Sequence, residues 1–549
     1  MDDYPYDLGT YRRAVSGTPE AATWVNRGLV WLYGYNHEAA IGCFERAAGI
    51  DPGCALAHWG IAHALGPNYN YTWELMDPKT RADRLARAWA AMERAQACAA
   101  GASPPERALV DALEARYGAL APPADFAPWN EAFAARMVAA HAAFPDDPDI
   151  AALAGEALLV CTPWRLWDLE EGAPASGART LEARALIEGA LARPGGRDHP
   201  GLLHFHIHLM EMSPEPEVAL TSADRLRMLV PDAGHLCHMP SHIDILVGDY
   251  GAALEANRRA IAADEAWRRR DGAIDFYTGY RIHDFHFAAY AAMFMGKYEA
   301  ASQAARGIWD SVPLDLLRID VPPMAAYFES YFSIGSHVLV RFGKWTEILA
   351  AELPPEPDLF RTTTAMARYA RGVAHAALGD VRAARAEQVL FEAARARVPG
   401  DWLLHNNTCG DLLAIAARML EGEILYREGR FDAAFAALRA AVAAEDGLPY
   451  DEPWGWMQPV RHALGALLFE QGRHEEAEQV YREDLGLVAG MRRAQIHPDN
   501  VWALRGLMSC LAVRGARETG EGRLIAQRLQ RAEARADGPI GVSCFCARG

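Results

Sequence analysis

Apolar and small residues recur along this chain at helical spacing, in pairs of segments separated by short turns. The stretch WVNRGLVWLYGYNHEAAIGCFERAAGIDP, Trp24 to Pro52, is the clearest copy. Later copies carry a turn of glycine, a charged residue and a ring: Gly248-Asp249-Tyr250, Gly296-Lys297-Tyr298, Gly343-Lys344-Trp345, Gly429-Arg430-Phe431 and Gly472-Arg473-His474. Ala253, Ala301, Ala434 and Ala477 each follow their glycine by five residues, and RGVAHAALGDVRAA (371–384) fits the same pattern. Breaks between copies are rich in Pro and Gly, as in GPNYN (66–70), EGAPASGA (171–178), RPGGRDHPG (193–201) and ELPPEPDLF (352–360). No run alternates between hairpin turns, and strand-favouring Val, Ile and Thr are sparse beside Ala and Arg. The pattern predicts an all-α chain of eight or nine helical pairs between about residues 20 and 530, with sheet content near zero.

With a 34-residue repeat numbered so that Trp24 is position 4, Gly28 falls at 8, Ala40 at 20, Phe44 at 24, Ala47 at 27 and Pro52 at 32. This resembles the tetratricopeptide repeat. The resemblance implies a right-handed superhelix of helix–turn–helix units, an α-solenoid in which each unit buries its apolar face on the next. The length of 549 residues, which alone suggests three or four domains, then belongs to one array. It divides into a lead-in (1–20), a continuous solenoid (21–530) and a tail (531–549) containing Cys544-Phe-Cys546. The strings HLMEMSP, HMPSHI, DEPWGWMQP and the SCFC ending resemble those of a group of bacterial and fungal tetratricopeptide proteins of this size. That likeness implies fold, not chemistry. The superfamily commonly holds peptides or partner proteins in its concave groove, with Lys, Asn and Arg at positions 2, 5 and 9.

Charge narrows the partners. Fifty-four Lys+Arg against 72 Asp+Glu give −18, which argues against nucleic acid and anionic membranes as ligands. The start, MDDYPYDLGTYRR, lacks the pattern of a secretory signal, and no apolar run approaches the roughly 20 residues of a membrane span. Most of the nine cysteines sit singly in apolar helical patterns, as reduced thiols would. A soluble, cytoplasmic protein is expected.

Nine of the 19 histidines fall between His199 and His286, and their register is informative. Positions 2, 5, 9 and 12 of a repeat share one face of its first helix. His204, His208 and Glu211 occupy 5, 9 and 12 of one unit; His235, His238 and His242 occupy 2, 5 and 9 of the next; His283, His286 and Tyr290 occupy 2, 5 and 9 of a third. His206, at position 7, is the exception, and His337 again falls at 9 one unit on. Helices packed about 8–10 Å apart can converge such imidazoles, and neutral imidazoles with a carboxylate suit Zn²⁺, Fe²⁺ or Cu²⁺.

His208, Glu211 and His242 form a two-His, one-carboxylate set, with His238, His204 and His235 as further metal ligands. His283, His286 and Tyr290 are candidate catalytic groups, with Asp284 as an acceptor for a ring N–H. The reading is a metal-dependent enzyme carrying Fe, Cu or Zn in the groove and acting on a small molecule. Redox or O₂-dependent chemistry is expected ahead of hydrolysis. The alternative is a scaffold that binds a peptide or protein partner, its histidines structural or holding a structural metal. Weaker signals are Trp454 and Trp456 as a pocket wall or core plug, Asn406 and Asn407 at a helix entry, and Cys544-x-Cys546 as a soft-metal pair or cover.

Overall fold

A computed structural model describes residues 4–272, 277–321 and 323–547, and helices dominate them. Neighbours in sequence pack as hairpins: Pro19–Tyr33 on His37–Ile50, Ala55–Leu65 on Pro78–Cys98, Arg361–Ala377 on Val381–Arg395, and Cys409–Arg427 on Phe431–Asp446. The fold is an all-α array of tetratricopeptide type. Among the described residues, strands amount to two antiparallel pairs of two residues, Trp167–Asp168 with Ala173–Pro174 and Leu403–Leu404 with Asn407–Thr408. No helix is long and apolar enough to cross a membrane among the described residues. The chain forms two compact units, Met1–Ile243 with Arg259–Gly272, and Asp244–Arg258 with Ala273–Gly549.

Local chemistry explains the hairpins. Thr18 caps Pro19–Tyr33 by accepting from Ala21 N, with Pro19 at the first position, and Asn36 caps the second helix through Ala39 N. Gly28 lets the pair close, since a Cβ there would lie 2.6 Å from the Phe44 ring. In six hairpins the turn residue two before the second helix is a left-handed glycine: Gly248, Gly296, Gly343, Gly379, Gly429 and Gly472 all have φ between 62° and 86°. In the first hairpin the corresponding residue is Tyr35, at φ 55°. A tyrosine held there costs roughly 1–2 kcal/mol that glycine would not.

Two local expectations change. His235, His238 and His242 do not share one helix: Gly234–His238 ends at Met239 and Pro240–Val247 begins anew, because Pro240 has no N–H for a continuous ladder. The Cys409–Arg427 helix is capped by Thr408, whose Oγ1 accepts from Asp411 N, while Asn407 turns its amide to Asp451 at 2.6 Å. At the chain end Cys544 and Cys546 pair as a disulfide, and the other seven cysteines are free.

Candidate metal centre

In the first unit, the helix Pro200–Met210 presents His204 and His208, with Glu211 at its C-terminal end. His199 caps this helix, accepting from Leu202 N at 3.2 Å, and its other nitrogen lies 3.1 Å from Asp149. Glu211 binds two imidazoles at once: Oε1 lies 3.0 Å from His208 Nδ1 and Oε2 lies 2.6 Å from His242 Nδ1. An ionised carboxylate only accepts, so both Nδ1 atoms donate and both Nε2 atoms keep their lone pairs. His242 Nε2 faces His238 Nε2 at 2.6 Å. His208 Nε2 is buried without a hydrogen-bond partner among the described residues.

Three imidazole nitrogens and one carboxylate thus belong to one buried cluster; Glu211, His208, His238 and His242 are at most 2% exposed. Donor atoms of His208, Glu211 and His242 lie within 4.8 Å of one another, as do those of His204, His208 and His235. The second trio is satisfied differently. His204 Nδ1 donates to Tyr33 O at 2.6 Å, which leaves its Nε2 to accept from His235 Nε2 at 3.2 Å. His204 and His235 therefore form a hydrogen-bonded chain beside His208; His242 Nε2, its ring proton placed on Nδ1 by Glu211, accepts from His238 Nε2, and His208 Nε2 is buried with no hydrogen-bond partner among the described residues.

Burial sets the protonation. It pushes His204 down to about 3 and, helped by neighbouring imidazoles, holds His208 and His235 well below the ordinary histidine range. Neutral imidazoles are the form that binds a metal. The neighbouring Cys237 turns away, its Sγ on the carbonyls of Val230 and Pro231, so the donor set is nitrogen and oxygen alone. That set suits Zn, Cu or Fe above softer ions.

Aromatic rings wall the cluster. Tyr69 lies 4.8 Å from the His208 ring and Trp164 6.0 Å, while Tyr35 packs on His204 at 4.7 Å and stacks on His235 at 5.6 Å. Trp164, like Tyr35, is left-handed, at φ 61°. Two non-glycine residues in this region beside one histidine cluster mark backbone strain held by its surroundings. None of these rings was singled out from sequence for the site. The one available signal was Tyr35 standing where six other turns carry glycine. His206 points elsewhere, bonding Ser222 Oγ at 2.8 Å.

His283, His286 and Tyr290 lie in the second unit, on the helix Thr278–Phe294 with Asp284. His283 stacks on His405 at 4.9 Å and lies 6.1 Å from the His286 ring. His405 is oriented by Asp451 through Nδ1. His286 Nε2 is 2.9 Å from Met457 Sδ. Tyr290 packs on Phe294 at 4.4 Å, and its hydroxyl is raised by burial and then by Asp484 and Glu445. Asp484 accepts from His462, His497 and Asn500, each at 2.9 Å, a buried network that sequence reasoning missed because its members are scattered over 39 residues. His337 packs edge-on to Trp456 at 4.8 Å, and both Trp454 and Trp456 are core residues.

No family model and no curated protein matches the chain. Among solved structures, the human IFIT1 dimer with m7Gppp-AAAA is similar at 11% identity, TM-score 0.31, over 96% of this chain and 90% of that one. The APC/C hetero-tetramer Cut9–Hcn1 is similar at 11% identity, TM-score 0.24, over 96% of both chains. The TPR domain of P58(IPK) is similar at 12% identity, TM-score 0.16, over 66% of this chain and 94% of that one. The tetratricopeptide reading rests on the chain's own repeated hairpins, their left-handed turn residues and their small residues at the helix crossings.

Proposed function

We propose that this chain is a metal-dependent enzyme whose transition-metal centre is held by His208 and His242, with Glu211 orienting both and His238 against His242. The observation that carries the reading is the bidentate hold of Glu211 on His208 and His242, at 3.0 and 2.6 Å, which turns both Nε2 lone pairs outward. A carboxylate on the far nitrogen of a ligating histidine fixes its tautomer and raises its basicity. It also brings one negative charge to neutral imidazoles, which favours a divalent cation among them. Such a cation would supply Lewis acidity or, as iron or copper, redox chemistry on a small molecule; hydrolysis is the second possibility.

The protein's own part is positional. The walls of Tyr35, Tyr69 and Trp164 exclude water and strengthen every electrostatic interaction inside. His204 and His235, already bonded to each other, hold His208 in place. The test is metal analysis of tag-free protein after reconstitution with Fe²⁺, Cu²⁺ or Zn²⁺. About one equivalent is expected, released by His208→Ala and by His242→Ala with the helical CD signal intact. Less than about 0.2 equivalents of each metal overturns the assignment, since a tetrahedral or octahedral site binds stoichiometrically.

A further inference from the structure

The second unit contains a different pair of donor atoms. His286 Nε2 and Met457 Sδ lie 2.9 Å apart, from residues 171 positions apart in sequence. Both side chains are fully buried. A sulfur atom is larger than oxygen, so an N–H···S bond is ordinarily longer than the roughly 2.9–3.0 Å of N–H···O. The other nitrogen, His286 Nδ1, is buried with no hydrogen-bond partner among the described residues. Neighbouring rings complete the surroundings: His283 at 6.1 Å and Tyr331 at 5.4 Å, with His405 stacked behind His283.

We infer that His286 and Met457, both in the second unit, form a site for a soft monovalent cation, Cu(I). Thioether with imidazole is a donor set that selects Cu(I) over Zn²⁺ or Fe²⁺. Charge points the same way. Both donors are neutral, and the cost of burying an ion grows with the square of its charge, so one positive charge is far cheaper here than two. Burial, and then His405 and His337, lower His286 to about 3, so its imidazole is neutral at physiological pH. On binding, the ring proton resides on Nδ1 and the Nε2 lone pair faces the cation; no proton leaves the protein and no electron is transferred.

The test uses the full chain produced in copper-supplemented medium, with Cys544→Ser and Cys546→Ser removing the cysteine pair of the tail as a competing source of sulfur ligands. Copper-edge X-ray absorption is expected to show Cu(I) with nitrogen and one sulfur neighbour at about 2.3 Å, a typical metal–sulfur distance. Met457→Leu, which conserves volume, should abolish the sulfur neighbour, and His286→Gln should lower the sulfur-bound copper at least tenfold. Selenomethionine protein, in which no side chain is lost, should show selenium in place of that sulfur. His208→Ala with His242→Ala should leave the sulfur neighbour in place, because copper held by those histidines has no sulfur ligand. Absence of bound copper, or a sulfur neighbour that survives Met457→Leu, overturns the assignment.

Discussion

Replacing Glu211 by Gln probes the centre most directly, because shape is kept and only charge and one acceptor are lost. In the wild type both oxygens take imidazole N–H, at 3.0 and 2.6 Å. Hydrogen bonds to a charged group contribute about 1.5–3 kcal/mol each. Glutamine keeps one as a neutral bond and turns its own N–H₂ against the other imidazole, forcing that ring to rotate or change tautomer. One of the two Nε2 lone pairs is then lost to the metal. Loss of such an orienting partner lowers metal affinity about 10–100-fold, or about 1.4–2.7 kcal/mol. The metal-free protein should change less, because the lost bond is offset by no longer burying a carboxylate charge. Competitive titration of metal-free protein with Zn²⁺ or Co²⁺ against a chromophoric chelator measures the affinity, and CD melting measures the fold. A Glu211→Gln affinity within twofold of wild type would refute the orienting role.

Tyr35→Gly separates strain from packing. Glycine relieves roughly 1–2 kcal/mol of left-handed strain, but removing a buried aromatic ring costs about 3–5 kcal/mol, so a net loss of about 1–4 kcal/mol and weaker metal binding are expected. A variant more stable than wild type in CD melts, with metal affinity intact, would mean that the ring has no part in the site. The pH profile of stability follows from buried neutral histidines. Burial lowers His37 and His337 to about 3, with Arg84 and Arg116 adding to the effect at His37. Their folded values lie below the unfolded value of about 6.5, so the unfolded chain takes up protons first as pH falls. Stability is therefore full above about pH 6.5 and declines as pH falls from there toward 3, by about 2 kcal/mol per group at pH 5. Denaturant melts at pH 7.5 and pH 5 check this; equal stabilities would contradict it.

The helices were legible because each carries its own signals. Proline at the first helical turn, Thr18 and Asn36 as caps, glycine two before the second helix in six hairpins and glycine at the helix crossing are all local, and local chemistry is written in consecutive residues. The histidine register was legible for the same reason, since positions 5, 9 and 12 follow from 3.6 residues per turn. Sequence could not say that Pro240 splits the second histidine helix while leaving His238 and His242 face to face. Nor could it say which nitrogen faces which partner. Whether Glu211 ligates or orients depends on Oε1 and Oε2 meeting two Nδ1 atoms, and one of those comes from a residue 31 positions away. Tyr35, Tyr69 and Trp164 reach His208 from three loops, and Met457 reaches His286 across 171 residues. Periodicity decides which side chains share a face. Only packing between distant segments decides what that face meets, and so which lone pairs are left for a metal.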